Sequence, residues 1–243
     1  SFSGSLKDPI MNTLTQPQSD TLWHTIRRET EQACADEPTL ASFLHLTVLR
    51  HQSFERVLAF HLSSKLASPI MDARALYEIY LSALRSDEGI AAAALADIVA
   101  YYERDAACDA YSLPLLYYKG FHAIHAHRIP HWLWQQGRRT LAYFLQNRAS
   151  EVFGVDIHPA ARFGHGIMID HGTGVVVGET AVLGNDISLL HGVTLGGSGK
   201  ESGDRHPKIG DGVMIGANAS VLGNIRVHNC AKIGAGSVVV EDV

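Results

Sequence analysis

Ile157-His158-Pro159-Ala160-Ala161-Arg162-Phe163-Gly164-His165-Gly166-Ile167-Met168-Ile169 opens the part of the chain whose spacing decides the fold. Ile157, Phe163 and Ile169 stand six residues apart, and the interval continues through Val175, Ala181, Ile187 and Val193. After ten inserted residues, Gly199 to Lys208 with Lys200 among them, it resumes as Ile209, Ile215, Val221, Val227, Ile233 and Val239. All thirteen positions are apolar in a chain that is 46% apolar, a run that composition would produce well under about one time in a thousand. The position four residues further on is mostly small or β-branched (Ala161, Thr173, Ala219, Ala231, Ser237). Gly or Asp often follows the anchor (Gly164, Asp170, Gly210, Gly216, Gly234).

This is the hexapeptide pattern of a parallel β-helix. Each hexad is a short strand plus a corner: the aliphatic anchor points inward, the small residue fits the narrow interior, and Gly or a short polar residue tolerates the turn. Three hexads close a coil of about eighteen residues, and stacked coils supply the core that one repeat lacks. A long amphipathic helix does not fit, because period six does not match 3.6 and each interior Gly would cost about 1 kcal/mol.

Leu22 to Ser150 reads differently. Gly is scarce, Ala and Leu are abundant, and apolar residues fall three and four apart, as in Phe54, Leu58, Leu62 and Leu66. Breaks at Glu37-Pro38, Ser68-Pro69, Arg85 to Gly89, Tyr111 to Pro114 and Pro130 divide the stretch into about six or seven helices. The expected fold class is therefore α+β: an all-helical N-terminal domain followed by a left-handed parallel β-helix. The expected organisation is a leader over 1–10 ahead of Met11, a helical oligomerisation domain over 11–150, and a catalytic β-helix over 151–243 with an inserted loop at 199–208.

Net charge is −5, from 20 basic and 25 acidic side chains, and there is no basic run, which argues against nucleic acid as a partner. No run of eighteen apolar residues and no signal peptide precedes or interrupts the helices, so no membrane partner is expected. Cys34, Cys108 and Cys230 are unpatterned, fitting a reducing cytoplasm rather than a disulfide framework or a thiolate zinc site. His122, His125, His127 and His131 lack the spacing and acidic partner of a helix-borne zinc site, and Pro130 should interrupt their helix. They read as packing or surface residues, and no metal is expected.

A β-helix is not itself an active site, so chemistry is sought where residues depart from the structural code. The inserted loop is one departure, bringing Arg205 and His206 side by side. The other is Ile169-Asp170-His171-Gly172-Thr173-Gly174, where His171 follows Asp170 and Asp156 lies fifteen residues earlier, nearly one coil below. A carboxylate on the far nitrogen would fix the imidazole's tautomer and strengthen it as a base, although a lone His is as often structural.

Taken together, Arg104-Asp105, Lys119-Gly120-Phe121-His122, His131-Trp132-Leu133-Trp134, Val155-Asp156-Ile157-His158-Pro159-Ala160, the Asp170-His171 corner and Gly203-Asp204-Arg205-His206-Pro207-Lys208 resemble the serine O-acetyltransferase family from about Leu22 to Val243. The resemblance implies acetyl transfer from acetyl-CoA to the hydroxyl of L-serine, giving O-acetyl-L-serine for cysteine synthesis. It implies His171 as general base with Asp156 orienting it, Asp105 and Asp170 holding the substrate ammonium, and Arg205 and His206 meeting its carboxylate. Gly197, Ser198, Ala217, Lys232 and Ala235 match positions that line the CoA groove. It further implies a homo-hexamer, a dimer of trimers with each site between neighbouring β-helices, and L-cysteine as feedback inhibitor. O-acetylserine sulfhydrylase is a family partner that takes up a C-terminal tail; because the sequence stops at Val243 inside a hexad, this chain is not expected to bind it.

The residues agree with such chemistry. Serine's hydroxyl needs a base within hydrogen-bond reach, a zwitterion needs both signs of charge, and the Gly196-Gly197 turn offers backbone N–H groups for an oxyanion. Three other functions stay open on the residues alone: a hexapeptide acyltransferase for a sugar, an antibiotic or a nucleotide-sugar; a zinc carbonic anhydrase using some of His158, His165, His171, His191 and His206; and a non-catalytic trimerising rod.

Overall fold

The computed structural model describes residues 14–199 and 201–243. The leader expected over 1–10 and the loop residue Lys200 lie outside the described residues.

Among the described residues eight α-helices come first: α1 (Gln16–Asp36), α2 (Ala41–Leu44), α3 (Phe54–Leu66), α4 (Ala73–Ser86), α5 (Glu88–Arg104), α6 (Ser112–Tyr117), α7 (Lys119–Gln135) and α8 (Arg139–Phe153). Gly154 ends the last of them in the left-handed conformation at φ 65°, and the first strand begins at Asp156. Pro130 does not break the chain as expected; α7 runs through it. A proline inside a helix costs about 3 kcal/mol. Here α7 is buried along most of its length, and His127 and His131, flanking the proline, are each tied to the β-helix, so tertiary packing overrides local propensity. Among the described residues no helix is long and apolar enough to cross a membrane.

Thirteen short strands follow, stacked in three parallel sheets. The first runs Asp156–Ile157, Val176–Val177, Thr194–Gly196, Ser220–Leu222, Val238–Val239. The second contains Arg162–Phe163, Val182–Leu183, Lys208–Ile209, Arg226–Val227, and the third Met168–Ile169, Ser188–Leu189, Met214–Ile215, Lys232–Ile233. This is the parallel β-helix of the left-handed hexapeptide kind. The register refines the expected one. Ile157 pairs with Val177, twenty positions on rather than eighteen, so the corner at 170–175 holds two extra residues. Beyond it the equivalent anchors are Val177, Leu183, Leu189 and Leu195, while Val175, Ala181, Ile187 and Val193 fill the second inward position. Both sets are buried, which is why the six-residue count survives the change of phase. Leu183 pairs with Ile209 twenty-six positions on, so the later loop adds eight residues to its coil rather than ten.

The first coil has a neighbouring coil on one side only. Its other edge would leave backbone groups unpaired, and buried orphans of that kind cost about 1–3 kcal/mol each. Side chains of α5 and α7 satisfy them. Asp97 accepts from the Ile167 N–H at 2.7 Å; Tyr101 Oη accepts from the Ile169 N–H at 3.0 Å and donates to the Ile169 carbonyl at 2.7 Å. Arg128 donates to Gly164 O and Arg104 to Gly166 O. His127 donates to Ala161 O at 3.1 Å and His131 to Pro159 O at 2.8 Å. Two of the four clustered histidines, His127 and His131, thus cap this edge, while His122 bonds to Leu115 O within the helical half. Burial alone would raise the Asp97 carboxyl, but Arg128, His125 and the Ile167 N–H hold it below the usual carboxylate range.

Candidate active site

The two-residue expansion at 170–175 places His171 and Gly172 in the left-handed region, at φ 57° and 85°. A histidine there is uncommon, and the turn projects its side chain outward, three-quarters exposed. His171 Nε2 stands 3.8 Å from Asp170 Oδ1, and the His191 ring of the next coil meets the His171 ring edge to face at 6.0 Å.

Helices hold this corner from below. Tyr101 clamps both backbone groups of Ile169, and Lys119 Nζ donates to Thr173 Oγ1. Gly120 lies flat against the Ile169 carbonyl: a methyl there would stand 2.8 Å from the carbonyl carbon and nearer still to the oxygen. Between helices and corner lies a cavity of about 410 Å³ lined by Tyr101, Asp105, Tyr118, Lys119, Asp170 and His171, among others. Asp105 ends α5, its backbone N–H bonded to Tyr101 O at 2.9 Å and its carboxylate accepting from the Ala107 N–H at 2.9 Å. Two carboxylates and an exposed imidazole therefore face one volume.

The other expected residues lie elsewhere. Asp156 does not line this cavity; it accepts from Gln146 Nε2 at 2.8 Å, and its strand partner is Val176, five residues past His171. Within the chain the carboxylate paired with His171 is Asp170. Arg205 and His206 sit at the corner between the first and second sheets, separated from His171 by the width of the first sheet. There Arg205 donates to Glu179 at 2.7 Å, which holds the Glu179 carboxyl below its usual range. Thr180 Oγ1 accepts from the backbone N–H groups of Arg205 and His206 at 3.0 Å each. His206 is buried, and its Nδ1 accepts from the Thr180 N–H at 3.2 Å, leaving the ring proton on Nε2. Burial first, then Arg205, pushes its pKa down, so this imidazole is neutral at pH 7.

Gly197 and Ser198 follow the strand Thr194–Gly196 on the Arg205 side. Ala217 and Ala235 stack on the His171 corner in successive higher coils, Gly236 N–H bonding to Ala217 O at 2.8 Å, and Lys232 stands exposed in the strand leading to Ala235. The site residues thus form two groups at two corners. No cluster of three or more metal-ligating side chains occurs among the described residues. Sequence reasoning missed Tyr101, Lys119 and Gly120 as supports and Glu179 as the partner of Arg205. Lys119-Gly120 carried a signal, a glycine at the second position of a helix, whereas Glu179 is one polar corner residue among many.

Comparison with known proteins identifies the family. The family model "Serine acetyltransferase, N-terminal" matches residues 22–126, and the bacterial transferase hexapeptide model matches 206–240. The serine acetyltransferase of Escherichia coli K12 is 57% identical over 222 residues, covering 91% of this chain and 81% of that protein. The crystal structure of Neisseria gonorrhoeae serine acetyltransferase in complex with serine is 74% identical, with TM-score 0.89 and 91% of each chain covered. That of the Brucella abortus serine acetyltransferase in complex with coenzyme A is 49% identical, with TM-score 0.92, covering 95% of this chain and 92% of the other. With more than nine-tenths of its length covered at 49–74% identity, the chain belongs to the serine acetyltransferase family.

Proposed function

We propose that the chain transfers the acetyl group of acetyl-CoA to L-serine with His171 as the general base. The observation that carries this reading is the convergence of Asp105, Asp170 and His171 on one cavity at the corner where the coil gains two residues. Asp105 and Asp170 hold the substrate ammonium, which leaves the serine hydroxyl facing the imidazole. His171 takes the hydroxyl proton as the oxygen attacks the thioester carbonyl. The tetrahedral intermediate collapses with cleavage of the carbon–sulfur bond, and the imidazolium returns the proton to the departing sulfur. Transfer is direct, since no Ser or Cys lines the cavity to form an acyl-enzyme.

Arg205 and His206 complete the cradle from a neighbouring chain. One chain keeps the two groups at different corners of its prism, and three prisms around a three-fold axis set one corner against the other. The helical halves join two such trimers into a hexamer. Asp156 orients His171 in the assembled site, and the Gly196-Gly197 turn, on the Arg205 side, presents N–H groups to the oxyanion. Coenzyme A lies along the His171 corner past Ala217 and Ala235, with Lys232 at its margin and Gly197 and Ser198 of the neighbouring chain facing it, an assignment supported by the stacking of those alanines above His171. L-cysteine, with the same ammonium and carboxylate, competes for the same cradle. The test is thiol release from acetyl-CoA with L-serine against other amino acids, sugars and chloramphenicol. Serine alone should give rapid release; equal rates with a sugar or chloramphenicol would overturn the assignment.

A further inference from the structure

A second cavity, about 430 Å³ and as large as the catalytic one, opens in the helical half between the start of α3, the start of α4 and the segment before α3. Arg50, His51, Arg56, Phe60, Arg74 and Tyr77 form most of its wall, and no Asp or Glu lines it. In a chain of net charge −5, three guanidiniums around one volume with no acid among them is a marked local excess of positive charge.

The side chains of Arg56 and Arg74 make no hydrogen bond or ion pair among the described residues. Both also sit where local energetics oppose them. Arg56 is the third residue of α3 and Arg74 the second of α4, in the first helical turn, where the macrodipole disfavours a cation by about 0.3–1 kcal/mol. The third guanidinium, that of Arg50, is held in place by stacking 4.5 Å over the Phe60 ring, beside His51, whose Nε2 donates to Leu46 O at 3.1 Å. The backbone beneath it is fixed by Arg27, which donates to Leu49 O at 3.0 Å and His51 O at 2.7 Å. Arg50 immediately follows a π-helical turn at His45–Leu49, a backbone form concentrated at functional sites. Burial, then Arg50 and Arg56, depress the His51 pKa, so the imidazole is a neutral neighbour rather than a fourth charge.

Guanidinium forks match phosphate oxygens, and the Phe60 and Tyr77 rings offer flat apolar surface beside them. We propose that this cavity is a binding site for an organic phosphate carrying a planar ring, of the nucleoside monophosphate class, with the phosphate held by Arg50, Arg56 and Arg74 and the ring against Phe60 and Tyr77. It is separate from the catalytic cavity and shares no lining residue with it.

Isothermal titration of the whole protein with AMP, inorganic phosphate and adenosine tests this. AMP should bind, weakening as salt is raised; phosphate should bind about 10-fold or more weakly, and adenosine more weakly than AMP. The double variant R56Q/R74Q should lose at least about 10-fold in AMP affinity while keeping acetyl transfer and hexamer mass unchanged, which also shows that it folds. AMP binding absent from the wild type, or unchanged in the variant, overturns the proposal. Equal affinity for AMP and phosphate removes the ring from it, and a change of oligomeric mass in the variant assigns the arginines to self-association instead. Because AMP resembles part of coenzyme A, the titration is repeated with saturating coenzyme A. Binding that persists supports a second site, and binding that disappears overturns it.

Discussion

Replacing Gly120 with Ala isolates how firmly the helices hold the His171 corner. In α7 the change is favourable by about 1 kcal/mol on propensity alone, since alanine has less freedom to lose. The added methyl, however, would lie 2.8 Å from the Ile169 carbonyl carbon and 3.0 Å from Tyr101 Oη, where ordinary contacts begin near 3.4 Å. The oxygen is closer than the carbon, so helix and corner must part by about 1 Å, and neither is the end of a flexible side chain. Overpacking of this sort costs about 1–3 kcal/mol, which leaves a net destabilisation of about 0–2 kcal/mol. Ile169 is one residue from Asp170 and two from His171, so the same displacement reaches the proposed base. A 1 Å misplacement is worth about 10²-fold in rate. The expected result is a melting temperature lowered by no more than a few degrees and kcat/KM for serine lowered by about 10- to 100-fold in a thiol-release assay. Full activity with an unchanged or raised melting temperature would refute the idea that Gly120 sets the position of the corner. Tyr101→Phe, which adds no bulk but removes both hydrogen bonds to Ile169, should share the loss of rate if the clamp, rather than the collision, is what matters.

His171→Ala should lower turnover by about 10²- to 10⁴-fold with acetyl-CoA binding nearly intact, measured by steady-state kinetics and titration; near-normal turnover removes it from the mechanism. Arg205→Ala should raise the serine KM far more than that of acetyl-CoA and abolish discrimination between serine and serine amide; if the variant still rejects the amide, Arg205 reads another group. The folded protein should lose stability in acid through its buried histidines. Burial, then Lys65, pushes His61 down to about 4, and His122, His125 and His127 are also lowered by burial. Because the unfolded chain takes up these protons near pH 6.5 and the folded chain does not, stability is full above 6.5 and falls as pH drops toward 4, by about 3 kcal/mol for His61 alone. His61→Gln should flatten the fall in melting temperature across that window; an unchanged slope would remove His61 from the linkage.

Much of the fold was legible because the β-helix code is local: one inward residue every six, with glycine where the chain turns. The phase change at 170–175 was not legible. Val175 and Val177 are both valines on either side of Val176, and both point inward, so a count by sixes passes through the expansion without meeting a polar residue. The helical boundaries were legible where a proline coincided with a polar cluster. Pro130 misled because its helix is held by contacts more than twenty residues away in sequence, which no local window sees.

The site divides along the same line. His171 and Asp170 stand out because they break a repetitive pattern, and the structure shows the backbone itself departing there, with two extra residues and a positive φ. Arg205 and His206 stand out the same way, in the residues added to a later coil. What the sequence could not show is that a chain so regular must put these two departures at different corners. The coils advance by whole turns, and each added segment stays at the corner where it was inserted. If the proposed roles hold, bringing an acidic pocket and a guanidinium onto one zwitterion calls for a second copy of the rod. On this reasoning the kinetics carry a signature of assembly. Mixing His171→Ala with Arg205→Ala chains after dissociation should restore a fraction of wild-type activity, because some interfaces then draw the intact His171 from one chain and the intact Arg205 from its neighbour. Under random mixing about one quarter of the interfaces are intact on both sides, so recovery toward a quarter of the wild-type rate is expected. Recovery of nothing, from mixed trimers verified by mass, would mean that each chain builds its site alone.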